Sequence, residues 1–214
     1  MLHKVLVACF VLTSATAFAA DGEGTLENSV IGKGLKMLGN NQASDNVLPA
    51  THEPAILKDA EIKPELGKKL PLDAVMTDHT GKTLKLGDYF DDDIPAILTM
   101  GYYKCPMLCD LVLNALIDGL KGAGLKLGED FKIITMTINP KEGTALAAKK
   151  RASYLKALGY TADAKGWDFH TASQENITKV SKALGFGYNE DAESGEFAHA
   201  AGVFVATPDG ILNN

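Results

Sequence analysis

The feature that most limits the folds open to this chain is a strand-length apolar run, Ile94 to Met100, followed within a few residues by a helix opening at Cys105-Pro106. A continuous apolar run has no polar face to offer water, so it belongs in the middle of a sheet covered on both sides. Phe131 to Ile138 repeats the pattern beyond the helix as a second buried strand. Strand, helix and strand in this order predict parallel pairing and an α/β layered domain. Upstream, Leu70, Leu72, Ala74 and Met76 alternate as a half-buried strand. Asp78-His79-Thr80-Gly81 is a turn signal, and Thr83 to Leu86 returns as the partner of a hairpin. Downstream, Glu142 to Leu158 has a helical apolar stripe, and Trp167 to His170 forms a short strand. Thr171-x-x-Gln174 fits a capping box that opens a helix carrying Ile177, Val180 and Leu184 on one face. Val203 to Ala206 is a last short strand, ended by Thr207-Pro208-Asp209-Gly210. A lead-in hairpin, a central strand and then a cysteine-bearing helix is the thioredoxin-like order.

Composition narrows the function classes. The 214 residues are 46% hydrophobic and 22% charged, which fits a globular domain and excludes a multi-span membrane protein. With 21 basic against 27 acidic residues the net charge is −6, so no basic stripe offers itself to phosphates and nucleic acid is not an expected partner. Three cysteines are too few for a disulfide scaffold. One of them falls in a leader: Lys4 supplies a positive charge, Val5 to Phe18 is mostly apolar, and Ala17-Phe18-Ala19 is a small-x-small cleavage pattern. Leu6-Val7-Ala8-Cys9 imitates a lipoprotein signal but leaves almost no apolar run before it, so Cys9 reads as a bystander. Residues 1–19 are therefore expected to be a cleaved signal peptide, with a membrane anchor as the alternative, and the product to be periplasmic. Residues 20–65 read as an extended segment or linker, with one poor helix around Leu26 to Leu38 and punctuation at Pro49, Pro54 and Pro64. The compact domain is expected over residues 66–214.

The chemistry concentrates at Tyr102-Tyr103-Lys104-Cys105-Pro106-Met107-Leu108-Cys109. Pro106 suits the first position of a helix, which makes Cys105 the expected N-cap. Cys109 then lies one turn further on, at the margin of the buried face, so both sulfurs point toward one patch at the C-terminal end of the central strand. A helix N-terminus also favours thiolate over thiol. Two thiolates one turn apart support two chemistries: a redox pair that closes a disulfide, or chelation of a soft metal. Structural zinc wants four ligands and the mature chain has no further cysteine, whereas copper(I) accepts two or three soft ones. A peroxidase would need one activated thiol in its own local motif, which is missing.

These residues carry a resemblance. Cys105-Pro106-Met107-Leu108-Cys109, then Thr135-Met136-Thr137-Ile138-Asn139-Pro140, then Phe197-Ala198-His199 with Pro208-Asp209-Gly210 resemble the Sco (SenC) family. Those are thioredoxin-like copper proteins that help assemble the copper centre of cytochrome c oxidase. The resemblance covers roughly Leu66 to Gly210. It implies Cys105, Cys109 and His199 as ligands of copper, as copper(I) or copper(II), and a chaperone rather than an enzyme. The implied partner is the copper-bearing oxidase subunit or another copper or thiol protein. The alternative is a periplasmic thiol–disulfide oxidoreductase without a metal role, with Cys105 and Cys109 as its redox-active pair. The chain departs from many members by Met107 between the cysteines, by Asp110 after the second, and by Asn139 where an aspartate precedes the proline. The family continues past the Asp-Gly turn into another strand and a long helix, so a C-terminally incomplete domain is expected, with membrane association only through an uncleaved leader.

Other candidates read as structural. His79 is expected exposed in a polar turn, His170 as a strand-end structural residue beside Trp167, and His52 as linker. Met107 is an apolar contact at the helix start. Asp91-Asp92-Asp93 reads as a solvated turn, and Tyr102 and Tyr103 as packing around the cysteines.

Overall fold

The computed structural model describes residues 55–90, 92–105 and 108–213, and the side chains of Leu108 and Cys109 fall outside that description. The expected leader, the helix expected around Leu26 to Leu38, and His52 also lie outside it. The fold is the thioredoxin-like α/β arrangement that the element order predicts.

The hairpin comes first, as β1 (Val75–Asp78) and β2 (Thr83–Lys85), paired Val75 to Lys85 and Thr77 to Thr83. Its turn is closed by Asp78, whose Oδ1 accepts from the Thr80 N–H at 2.8 Å and the Lys82 N–H at 3.0 Å, with Gly81 supplying φ +92°. The expected strand from Leu70 is shorter. Leu70 and Ala74 are buried, but the backbone there folds into local turns, Leu72 N–H to Leu70 O and Ala74 N–H to Pro71 O. Pro71 has no N–H to give a ladder, so the strand starts at Val75.

The central strands are β3 (Ala96–Gly101), β4 (Lys132–Thr137) and β5 (Trp167–Thr171). They run parallel, β3 beside β4 beside β5, with Gly101 level with Thr137. The hairpin joins through β1, antiparallel to β5. On the other side β8 (Val203–Ala206) runs antiparallel to β3, and β9 (Leu212–Asn213) to β8. Two further strands, β6 (Tyr188–Glu190) and β7 (Phe197–His199), form a separate antiparallel hairpin.

Among the described residues three α-helices cover the sheet. On one face α1 (Leu108–Ala123) and α2 (Thr144–Leu158) bury Leu113, Ile117, Tyr154 and Leu155 against Ile133, Trp167 and Phe169. On the other face α3 (Gln174–Leu184) presents Ile177, Val180 and Leu184 to Leu98, Met100, Ile134 and Met136. Successive residues of β3 and β4 thus serve opposite layers, as the pleat requires. Each large side chain buried this way contributes roughly 1.5–3 kcal/mol. Helix α3 is capped by Ser173, which accepts from the Asn176 N–H, and not by Thr171, which stays in β5 paired with Thr77. Helix α2 starts at Thr144, two residues later than its apolar stripe suggests, so Glu142 stands outside it.

Residues 55–65 run along this domain. Ile62 bridges to Phe186, the Lys63 N–H donates to Gly185 O at 2.8 Å, and Asn189 Nδ2 donates to Ile56 O at 2.9 Å. Among the described residues no helix is long and apolar enough to cross a membrane.

Candidate metal and thiol site

The parallel register brings two connections together. Ile138 N–H donates to Gly101 O at 2.8 Å, so the segment leaving β3 and the segment leaving β4 start side by side at the C-terminal edge of the sheet. The β3 segment, Tyr102 to Cys105, closes a turn through the Cys105 N–H and Tyr102 O at 3.1 Å. It leads into α1, whose first turn contains Cys109. Residues 106 and 107 are outside the described chain, and with them the expected N-cap geometry and Met107.

Cys105 is buried, 7% exposed, among the residues of the α3 layer. Tyr102 packs beside it in the same buried cluster, and its carbonyl accepts the Cys105 N–H. Burial, and then the neighbouring Cys105, push the Tyr102 hydroxyl up to about 12, so it remains a protonated donor at neutral pH. The same tyrosine meets His199. Their rings stand edge to face with centroids 5.8 Å apart, and Phe197 packs on Tyr102 at 5.3 Å. His199 also stacks on Phe186 at 5.9 Å, and its Nδ1 lies 2.6 Å from Ala200 O. A carbonyl only accepts, so Nδ1 carries the proton in that contact, which makes Nε2 of the neutral ring the lone-pair nitrogen.

The histidine arrives on β7, an element the sequence pattern does not announce. Tyr188 pairs with His199 across the hairpin, and the Ala200 N–H donates to Gly187 O at 3.2 Å. Lys141 Nζ meets Glu190 at 2.7 Å, a solvent-exposed pair between the β4 connection and β6. The structure thus brings Cys105 and His199 to one tyrosine from positions 94 residues apart in sequence. The Cys109 side chain is outside the described residues. Among the described residues, no group of three His, Cys, Asp or Glu side chains stands ready to hold a metal ion.

Asp110, the departure that follows Cys109, has a defined task. Its Oδ1 accepts from Lys150 Nζ at 2.8 Å and from the Tyr154 hydroxyl, tying the first turn of α1 to α2. These contacts hold its carboxyl below the ordinary carboxylate range, although burial opposes them. Tyr103 points to the opposite layer from Tyr102: its hydroxyl donates to His170 O at 2.7 Å and its ring tilts against Phe169.

His79 departs from expectation. It is largely covered rather than exposed, because the β1–β2 turn is drawn over β5, and its Nδ1 lies 3.6 Å from Asp168 Oδ1. His170 is fully buried, as a structural residue should be. Of the acidic run, Asp92 pairs with the buried Lys132 at 2.5 Å, while its own side chain stays half exposed.

The SCO1/SenC family profile matches residues 73–214, most of the chain. The chain belongs to the SCO1/SenC family. A solved protein of Aquifex aeolicus VF5, named for electron transfer, is 27% identical with a TM-score of 0.58, over 70% of this chain and 82% of that one. ScoI of Bradyrhizobium japonicum, solved with copper bound, shares the fold at 19% identity and TM-score 0.52, over 70% of this chain and 87% of that one. Arabidopsis thaliana ScoI, also solved with copper bound, does so at 18% and 0.52, over 70% and 85%. No curated protein matches the chain.

Proposed function

We propose that this SCO1/SenC protein carries copper and hands it on during assembly of the copper centre of cytochrome c oxidase. The observation that carries the reading is the meeting of Cys105 and His199 on Tyr102, within a family whose solved members include copper-bound proteins. Copper is the cargo here. A sulfur and an imidazole gathered on one tyrosine are a donor set that suits copper and disfavours calcium or magnesium. Cys109, one helical turn from the start of the motif, is the proposed third ligand. The leader-like sequence pattern of residues 1–19 supports a periplasmic location, where a copper-bearing oxidase subunit or another copper or thiol protein is the acceptor.

Copper(I) is soft and content with two thiolates, whereas copper(II) prefers more and harder ligands. Cys105→Ser and Cys109→Ser are expected to abolish binding of both states. His199→Ala should keep most copper(I) affinity and lose the intense thiolate-to-copper(II) absorption. Titration of each purified variant with both oxidation states tests this, and an unchanged copper(II) spectrum in His199→Ala removes the histidine from the site. Rapid insulin reduction by metal-free protein, with no copper bound at equilibrium, would instead favour a thiol–disulfide oxidoreductase.

A further inference from the structure

A buried carboxylate grips the backbone that delivers Cys105. Glu142 is only 6% exposed, and among the described residues it makes no ion pair. Its charge is met by hydrogen bonds alone. Oε2 accepts from the Tyr103 N–H at 2.8 Å and from the Thr137 hydroxyl, and Oε1 accepts from the Lys104 N–H at 2.8 Å. A carboxylate buried without a cation is costly unless such donors surround it, so the three bonds are a condition of its being there. Two successive backbone donors engage two different oxygens of one side chain. Glutamine cannot reproduce that: one oxygen becomes an amide NH₂, and a donor then faces a donor.

What Glu142 holds is the Tyr102–Cys105 turn. Tyr103 and Lys104 are its middle residues, Cys105 follows, and Tyr102 is the residue that touches both Cys105 and His199. The parallel register of Gly101 with Thr137 is what brings Glu142 within reach, and Thr137 itself completes the cradle. We infer that Glu142 is a positioning residue of the candidate site: its carboxylate fixes the turn and thereby sets Cys105 and Tyr102 against His199. It touches no cargo itself. This inference rests on the proposed copper reading, since it assigns Glu142 a role toward that site, and its test includes a metal-free readout.

The variants are Glu142→Gln, Glu142→Asp and Thr137→Val, each in the full chain. Positioning partners behind a metal ligand are typically worth roughly 10–100-fold in affinity. Glu142→Gln is expected to lose about tenfold in copper(I) affinity against a competing chelator and to shift the copper(II) absorption. In metal-free reduced protein it should also change the rate of Cys105 alkylation by iodoacetamide several-fold, read with Cys109→Ser as background. Glu142→Asp keeps both oxygens and should recover part of each loss. Thr137→Val removes one bond from the carboxylate while leaving the backbone pair, and should give a smaller change in the same direction; it serves where Glu142→Gln does not fold. If the wild-type protein binds no copper, the copper reading fails, and the alkylation rates still decide the role of Glu142. Wild-type alkylation rates in a folded Glu142→Gln or Thr137→Val would overturn the inference.

Discussion

Acidification below pH 6.5 should weaken this fold chiefly through one buried histidine, beginning ahead of the ordinary carboxylate range. His170 lies at the centre of the sheet with no exposed surface, its Nδ1 3.1 Å from Thr135 O and its Nε2 2.7 Å from the Tyr89 hydroxyl. The carbonyl only accepts, so Nδ1 holds the proton, and the single Tyr89 hydrogen faces two acceptors, Nε2 of the neutral ring and Asp168 Oδ2 at 2.9 Å. Burial is the dominant influence and holds the imidazole down to about 4 against an ordinary 6.5, although the Thr135 carbonyl and Asp168 pull the other way. The sign follows directly. Between those values the unfolded chain binds a proton that the native state refuses, so stability is intact above pH 6.5 and declines as pH falls toward 4. A depression of that size corresponds to about 3 kcal/mol, lost at no more than ~1.4 kcal/mol per pH unit. His79, also held below its ordinary value by burial, acts in the same direction. Urea unfolding at half-unit steps from pH 7.5 to 4 gives the profile, and a histidine NMR titration assigns it. A flat profile would refute the reasoning. It would mean that the protonated ring turns Nε2 into a donor to Tyr89, which then gives its own hydrogen to Asp168 at 2.9 Å, and that this chain absorbs the charge at no cost.

Two further predictions concern how the domain is held together. Gly185 caps α3 at φ +66°, and a Cβ there would stand 1.7 Å from Lys63 O, so Gly185→Ala should destabilise by more than ~1 kcal/mol and loosen residues 55–65, measured by denaturation and by amide exchange at Lys63. Leu155 is wholly buried between α2 and the aromatic cluster of Trp167 and Phe169; Leu155→Ala should lose roughly 2–5 kcal/mol in urea unfolding, and a loss under ~1 kcal/mol would mean that the layer collapses to fill the space.

The fold was largely legible in the sequence where burial is continuous. Ile94 to Met100 and Phe131 to Ile138 read as central strands because a parallel sheet covered on both faces leaves no room for polar alternation, and both are strands here. What failed to read were features set by pairing at a distance. His79 looks like a polar turn residue until β1 is seen to pair with β5, which carries its turn over Asp168. Thr171 and Gln174 have the spacing of a capping box, but Thr171 is already spent in the ladder with Thr77, so Ser173 caps instead. Strand β6, Tyr188-Asn189-Glu190, is three residues long with no apolar alternation, and no local pattern marks it as the partner that holds His199.

The candidate site divides in the same way. Cys105 and Cys109 stand out because their spacing is local and one helical turn is a fixed geometry. His199 stands out only through the family resemblance, since nothing near it in sequence says what it will face. Glu142 stands out through neither: the apolar stripe of α2 assigns it to the helix, whereas the chain turns at Asn139, the Glu142 N–H returns to Asn139 O, and the side chain swings back toward β3. That outcome depends on the register of β3 against β4. Shifting the pair by one residue would turn Thr137 to the other layer, take the acceptor away from the Tyr103 and Lys104 N–H groups, and leave a buried charge with nothing to meet it. The register that the apolar runs select for packing is therefore also the register that seats the cysteine turn, so the core and the site are specified by the same alignment of two strands.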